Sequence, residues 1–396
     1  MSVNDKWMLP EGIDELLPAR AAGLETLRRD CLDYLASWGY QLVEPPLLEY
    51  LDSLLSGMGQ SLDLQTFKLI DQQSGRMLGL RADMTLQAAR IDAHRLQRDV
   101  PVRLCYCGPV LHTLAEKFAG SRNPFQLGAE LYGSADLSAD AEIIRVMLGV
   151  LQRASLGQVW LELGHVGVFR AVVEAAGLAA ATALDVFADL QRKDPSALEA
   201  AISDGQVSAE LGARLLSLLE LNGDASVLAR ARAQLGDLPD VADALNDLER
   251  LVAMIRAFDG GCQIHIDLAE ITGYHYYTGP VFSAYIEGQG DAIAKGGRYD
   301  NVGAAFGHSR PATGFSTDLK HLTGIVMPPS KAAVRIYAPA LDAIDDELAQ
   351  RLSALRAEGA VVIHRLEGSS AQARAMDCSQ EIVRRNDSWS IINVIE

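Results

Sequence analysis

Between Phe125 and Tyr132 the chain alternates without a break, with Phe125, Leu127, Ala129 and Leu131 at one set of positions and Gln126, Gly128 and Glu130 at the other. Successive side chains of a strand point to opposite faces, so the apolar set can pack into a core while the polar set shares the opposite face. A chain with this segment must therefore build a sheet that is covered on one side. Gln126 and Glu130 stand about 13 Å apart along such a strand, and Gly128 leaves the face between them open to the close approach of a ligand. By pattern alone, a half-buried strand with a solvated polar face is the preferred reading, and an elongated polar ligand held at both ends is the other.

A chain of 396 residues, 49% of them hydrophobic, can bury a full core and is expected to divide into two or three domains. No uninterrupted apolar run approaches a membrane span. The start, Met1-Ser2-Val3-Asn4-Asp5-Lys6, lacks the basic opening and apolar stretch of a secretory signal, so a cytoplasmic location is expected. Five cysteines in this length do not make a disulfide framework. Cys105 and Cys107 share one face of a strand as small apolar residues; no second Cys or His pair at ligand spacing accompanies them, and no metal is expected. The formal net charge of −17 works against a nucleic-acid partner, whose phosphates call for clustered Lys and Arg. No dense basic run occurs.

Along the chain, a helix is expected from Pro18 to Ser37, with Leu24, Leu27, Cys31, Leu32 and Leu35 as its apolar stripe and Gly39 to end it. Tyr40 to Leu48 reads as a strand, kept at an edge or interface by Pro45-Pro46. Thr66 to Ile70 and Arg76 to Arg81 read as a hairpin. An amphipathic helix from Ser138 to Arg153 and a strand from Val159 to Leu163 follow. Residues 169–258, rich in Ala and Leu, read as a separate helical insertion without a catalytic constellation. Strands are expected again at Cys262 to Leu268 and Pro280 to Glu287. The tail, 329–396, reads as a small α/β unit: strand Ala333 to Tyr337, helix Ile344 to Ala357, strand Ala360 to His364, a second helix, and a last strand from Ser390 to Ile395.

The segment Arg103-Leu104-Cys105-Tyr106-Cys107-Gly108-Pro109-Val110-Leu111-His112-Thr113, leading through a loop to Phe125–Glu130, resembles the second signature motif of class II histidyl-tRNA synthetases. Arg81-Ala82-Asp83-Met84-Thr85 is similar to that family's Arg-Pro-Glu-Gly-Thr segment. Thr272-Gly273-Tyr274-His275-Tyr276-Tyr277-Thr278-Gly279 is similar to its histidine-specific Arg-Gly-Leu-Asp-Tyr-Tyr-Thr-Gly motif. The first helix and proline-bearing strand resemble motif 1, the homodimer contact of the family. Gly296-Gly297-Arg298-Tyr299-Asp300 matches a further motif; a tight passage against the pocket and a turn with a structural arginine are equal readings of it.

The resemblance covers residues 8 to 325. It implies an α+β class II aminoacyl-tRNA synthetase-like core over 1–325, an antiparallel sheet flanked by helices, with the 329–396 unit in place of an anticodon-binding domain. It also implies a histidine site made of Asp83, Thr85, Gln126, Glu130, Tyr276 and Tyr277. In that family the acid, the threonine and the residue matching Gln126 hold the α-amino group, while those matching Glu130 and Tyr277 face the two imidazole nitrogens. The donors and acceptors suit that ligand.

Adenylation needs cations on ATP, and guanidinium groups supply them in the synthetases. Their arginine positions correspond here to His112, Thr272 and His321, the last within Asp318-Leu319-Lys320-His321. Lys320 and Arg122 are the neighbouring cations that could substitute. A synthetase frame without these clamps resembles the ATP phosphoribosyltransferase regulatory subunit family, as do Leu54-Leu55-Ser56-Gly57 and Gly120-Ser121-Arg122. That resemblance implies a non-catalytic subunit without a cofactor, pairing with a short-form catalytic subunit at the first step of histidine biosynthesis. It would activate its partner, convey feedback inhibition by histidine and dimerise through the motif 1 region, with no nucleic acid or membrane involved. Two other readings stand beside it: a divergent synthetase or adenylating enzyme using ATP and an amino acid, and an RNA-binding regulator.

Overall fold

The computed structural model describes residues 7–56, 60–115, 121–175, 186–187, 190, 192–205, 207–269, 276–326, 333–366, 372–386 and 388–394. The chain forms two compact units, Met1–Pro328 and Pro329–Glu396.

In the first unit the strands are β1 (Gln41–Leu42), β2 (Leu48–Tyr50), β3 (Lys68–Ile70), β4 (Met77–Leu80), β5 (Val102–Pro109), β6 (Phe125–Tyr132), β7 (Val159–His165), β8 (Asn222–Gly223), β9 (Gln263–Asp267), β10 (Pro280–Ile286), β11 (Ala294–Arg298) and β12 (Ala312–Asp318). Nine of them make one sheet in the order β1-β5-β6-β12-β11-β10-β7-β9-β8. From β5 across to β7 every neighbouring pair is antiparallel, and parallel pairing occurs only where β1 joins β5 and β9 joins β7. The expected antiparallel α+β core is therefore present.

The Pro18–Ser37 helix starts with proline at its first turn, where the missing N–H costs nothing, and buries Leu27, Cys31, Leu32 and Leu35. The chain leaves it through Gly39 at φ 83°, a left-handed conformation that glycine adopts without strain. The Leu137–Arg153 helix is capped by Asp136, whose carboxylate accepts from the Ser138 N–H at 2.7 Å. Ile143, Ile144, Met147, Val150 and Leu151 of this helix lie in the main core with Leu127, Ala129 and Leu131 of β6. The apolar set of β6 thus faces the helices, and its polar set faces the other way.

The strand expected from Tyr40 to Leu48 is not continuous. Only Gln41–Leu42 and Leu48–Tyr50 are extended and paired, and the carbonyls between them serve other groups. Pro45 O accepts from Arg81 Nη1 at 2.5 Å, and Pro46 O accepts from Gln87 Nε2 at 2.8 Å. The expected hairpin is present as β3 and β4, with β2 on the far side of β4. The helical insertion begins earlier than residue 169, at Val166, and holds the helices Val166–Ala175, Pro195–Ser203, Ala209–Glu220, Val227–Leu235 and Pro239–Phe258. It is not a separate body. Leu215, Leu218, Leu245 and Leu248 share one buried cluster with Leu161 and Phe282 of the sheet, and β8 pairs with β9.

The second unit contains β13 (Arg335–Ala338), β14 (Val361–His364), β15 (Gln380–Arg385) and β16 (Ser388–Asn393), in the order β14-β13-β15-β16. The Asp346–Ala357 helix buries Leu348 and Leu352 against Ile336, Ala338 and Ile382. Among the described residues the second helix expected here is no more than a 3-10 turn, Ala373–Met376, ahead of β15, which pairs with β16 across a turn where Asn386 takes φ 48°. In Gln380–Arg385 only Ile382 is buried, so period-two alternation is too weak to read without its partner strand. Among the described residues no helix is long and apolar enough to cross a membrane.

Candidate functional site

Four strands of the sheet lay out the floor of a site. Cross-strand partners share a face, and the register sets three rows. Glu130 lies opposite Gly314, which lies opposite Gly297. The middle row is Tyr106, Gly128, Ser316 and Lys295, and the third is Gly108, Gln126 and Asp318.

Glu130 is 1% exposed. Its carboxylate lies over Gly314, where any Cβ would collide with it. The Tyr106 hydroxyl donates to Glu130 Oε1 at 2.8 Å, and the Tyr299 hydroxyl donates to Oε2. Burial pushes the carboxyl up to about 8; the two phenols pull against that, and the charge of Asp83 adds to it. The gap expected over Gly128 is not open. The Tyr106 phenol occupies it, at a distance that excludes a Cβ there, and its hydroxyl lies 2.9 Å from Thr85 Oγ1.

Gln126 ties the third row to the segment before the Thr85–Ile91 helix. The Met84 N–H donates to Gln126 Oε1 at 3.0 Å, and Gln126 Nε2 donates to Asp83 Oδ2 at 3.1 Å. Asp83 Oδ1 accepts from the Thr85 N–H at 2.5 Å. Asp83, Thr85, Gln126 and Glu130 are therefore joined in one hydrogen-bonded network, with Tyr106 as the link between Thr85 and Glu130.

Two tyrosines close the Glu130 end. Tyr276 stacks on Tyr299 with ring centroids 5.0 Å apart, and meets Tyr277 edge-on at 5.1 Å. Tyr277 sits over Gly297, where a side chain would strike its ring. The Tyr276 hydroxyl is buried and has no hydrogen-bond partner among the described residues, which marks a place where a polar ligand atom would be satisfied. The turn carrying these rings is gripped from the insertion: Arg170 Nη2 donates to Tyr277 O at 3.3 Å, and the Val166 N–H donates to Gly279 O at 3.2 Å.

The floor opens into a cleft of about 960 Å³, whose lining includes Asp83, Gln126, His112, Lys295, Lys320 and His321. His112 is buried and turned into the wall, its Nε2 donating to Ala82 O at 2.9 Å. His321 is exposed on the rim. Thr272 lies outside the described residues. The two nearby cations are both engaged. Arg122 donates to His112 O at 3.1 Å and to Glu11 O at 3.0 Å. Lys320 Nζ donates to Asn123 Oδ1 at 2.8 Å and pairs with Asp14.

Arg298 is the structural arginine of the two readings of its motif: it holds Asp140 through Nη2 at 2.6 Å and Nε at 3.1 Å, and Ser134 O at 3.0 Å. Gly297 beside it provides the close passage for Tyr277, so the two readings describe neighbouring residues. Among the described residues no group of three or more His, Cys, Asp or Glu side chains could hold a metal ion. Burial pushes the thiols of Cys105 and Cys107 up to about 12, as unreactive packing residues. Tyr106 and Tyr299 bond Glu130 and Lys295 lines the cleft, and sequence reasoning passed over all three. Tyr106 and Lys295 fall on the face of Gln126 and Glu130 only once the register is known, and Tyr299 lies within a motif read for its glycines and arginine.

Residues 12–322 match the family described as histidyl-tRNA synthetase, and residues 332–392 match the ATP phosphoribosyltransferase subunit HisZ C-terminal domain. An ATP phosphoribosyltransferase regulatory subunit from Thioalkalivibrio sulfidiphilus (strain HL-EbGR7) is 47% identical over 397 residues, covering 100% of both chains. One from Pseudomonas putida is 45% identical over 399 residues, covering 99% of each. Among solved structures, an ATP phosphoribosyltransferase regulatory subunit/histidyl-tRNA synthetase from Bacillus halodurans C superimposes with a TM-score of 0.83 at 27% identity, over 95% of this chain and 97% of that one. A histidyl-tRNA synthetase from Nostoc sp. PCC 7120 shares the fold, with a TM-score of 0.80 at 17% identity, over 98% of this chain and 97% of that one.

Proposed function

This chain belongs to the ATP phosphoribosyltransferase regulatory subunits, built on a histidyl-tRNA synthetase-like class II fold and serving histidine biosynthesis, and we propose that it senses histidine for a separate catalytic chain. The effector binds Asp83, Thr85, Gln126, Glu130, Tyr276 and Tyr277. Asp83 and Gln126 take the ammonium, and Glu130 with the tyrosine pair takes the imidazole.

The observation that carries this reading is the network joining Asp83, Thr85, Gln126 and Glu130 on one sheet face. It ends beside a buried phenol that lacks a partner among the described residues. An acid at each end and aromatic walls suit a small zwitterion with a nitrogen ring. The chain does not activate that ligand with ATP. Where adenylation needs guanidinium groups on phosphate, His112 is bonded into the wall, and Arg122 and Lys320 are held by carbonyls and a carboxylate.

The partner is the short-form catalytic subunit, which the chain activates and makes sensitive to histidine. The chain itself pairs as a homodimer through the region of its first helix and β2. Leu48, Tyr50 and Leu69 share one face of the small sheet there and are all exposed, an apolar patch of the kind that marks an interface.

The test is the ATP phosphoribosyltransferase rate of the same organism's short catalytic subunit, with and without this chain, each titrated with histidine. A rise on mixing, with inhibition that depends on this chain, is expected. Glu130→Gln should keep the activation and weaken inhibition by roughly tenfold, the effect of one buried hydrogen-bonded contact. No activation and no association would overturn the proposal. Amino-acid-dependent exchange of pyrophosphate into ATP would replace it with the adenylating-enzyme reading.

A further inference from the structure

We propose that Lys295 receives the carboxylate of the amino acid bound on this sheet face, and so makes the site selective for an acid over its decarboxylated or reduced analogues. The inference rests on the histidine reading above and adds a residue to it.

Three rows of side chains divide the floor. A ligand with its ring at Glu130 and Tyr277 occupies the first row, and its ammonium at Asp83 and Gln126 lies over the third. The carbon that joins these ends therefore stands over the middle row, Tyr106-Gly128-Ser316-Lys295. On the β5 side of that row the Tyr106 phenol already fills the space above Gly128. The carboxylate, the remaining substituent on that carbon, leaves toward β12 and β11, where Ser316 and then Lys295 stand. Lys295 and Gly297 share a strand face, and Gly297 is the seat of Tyr277, so Lys295 rises on the ligand side. It is exposed and lines the same cleft as Asp83 and Gln126. Its Cα is two strand spacings, about 10 Å, from that of Gly128, a distance suited to a long side chain reaching back over Ser316.

Charge argues the same way. The face offers a carboxylate at Asp83, which complements an ammonium but repels the ligand's own carboxylate, and a carboxyl at Glu130, which meets the ring. The third, Asp318, is engaged, accepting from the N–H groups of Phe125 and Lys320 at 2.9 Å each. Of the cations lining the cleft, Lys320 is paired with Asp14 and donates to Asn123 Oδ1. Arg20 stands beside Gly324 on a wall. Lys295 makes no hydrogen bond or ion pair among the described residues, and it alone of these cations rises from the middle row of the floor. An ammonium free to meet a carboxylate forms a charge-assisted hydrogen bond with it.

The experiment is calorimetric titration of the full chain with histidine and with histidinol, which keeps the ring and ammonium but has CH2OH in place of the carboxylate. Lys295→Met should weaken histidine by about tenfold, one hydrogen-bonded charge pair, and leave histidinol within about twofold. Lys295→Arg should restore most of the loss. Equal weakening of both ligands, or of neither, overturns the assignment, while Glu130→Gln weakening both would leave the pocket reading standing. If the unmodified chain binds neither ligand, the pocket reading has failed and this inference with it.

Discussion

Glu130 meets a carboxylate's least favourable environment, almost complete burial, and two phenols do not compensate fully, so its proton is held up to about 8. The consequence for stability follows from linkage. The folded chain keeps a proton that the unfolded chain has released above 4.5, so this group lowers stability as pH rises from 4.5 to about 8. His165 acts oppositely at lower pH, because burial holds its ring down to about 4 from 6.5 and stability rises across that interval. The window from pH 6.5 to 8 therefore isolates Glu130. Thermal midpoints of the wild type should fall there, with a slope of at most about 1.4 kcal/mol per pH unit, and Glu130→Gln should flatten the difference. Parallel profiles for the two proteins would show that the buried carboxyl does not titrate in this range.

At the scale of elements, Arg298 joins β11 to the start of the Leu137–Arg153 helix and to the turn that carries the tyrosines. It holds Asp140, 0% exposed, through two nitrogens, and its carbonyl accepts from the Thr278 N–H at 2.7 Å. Removing one partner of a buried pair strands the other, so Arg298→Ala should cost about 3–5 kcal/mol, read as a lower midpoint in urea unfolding. A loss under 1 kcal/mol would mean that Asp140 is satisfied another way. The long helices and the hairpin were legible because their periodicity and caps are local. The Tyr40–Leu48 segment and β15 were not, because distant groups decide them: Arg81 and Gln87 at the prolines, and β16 beside Gln380–Arg385.

For the whole molecule, the apolar residues on β2, β3 and β4 are the feature that a lone chain leaves unexplained. Leu69, on the same face as Leu48 and Tyr50, is 45% exposed, far more than a core residue, and its substitution should not disturb the fold. Sedimentation should show the wild type as a dimer and Leu69→Asp shifted toward monomer, since a buried like-charge pair at a two-fold contact is unfavourable. An unchanged mass would place the dimer contact on another surface.

The sequence by itself determined the faces of Phe125–Tyr132 and the first helix to its ends, because alternation and the Pro18 and Gly39 boundaries are properties of neighbouring residues. The candidate set Asp83, Thr85, Gln126 and Glu130 came from the resemblance to histidyl-tRNA synthetases. Only the tertiary structure decided that Tyr106 closes the gap over Gly128 and that Lys320 and Arg122 are already engaged. It alone decided, too, that Lys295 stands in the row of Gly128 and Ser316 and lines the cleft. Each of these depends on which strands lie side by side and in what register, and that is settled by packing between residues far apart in the chain.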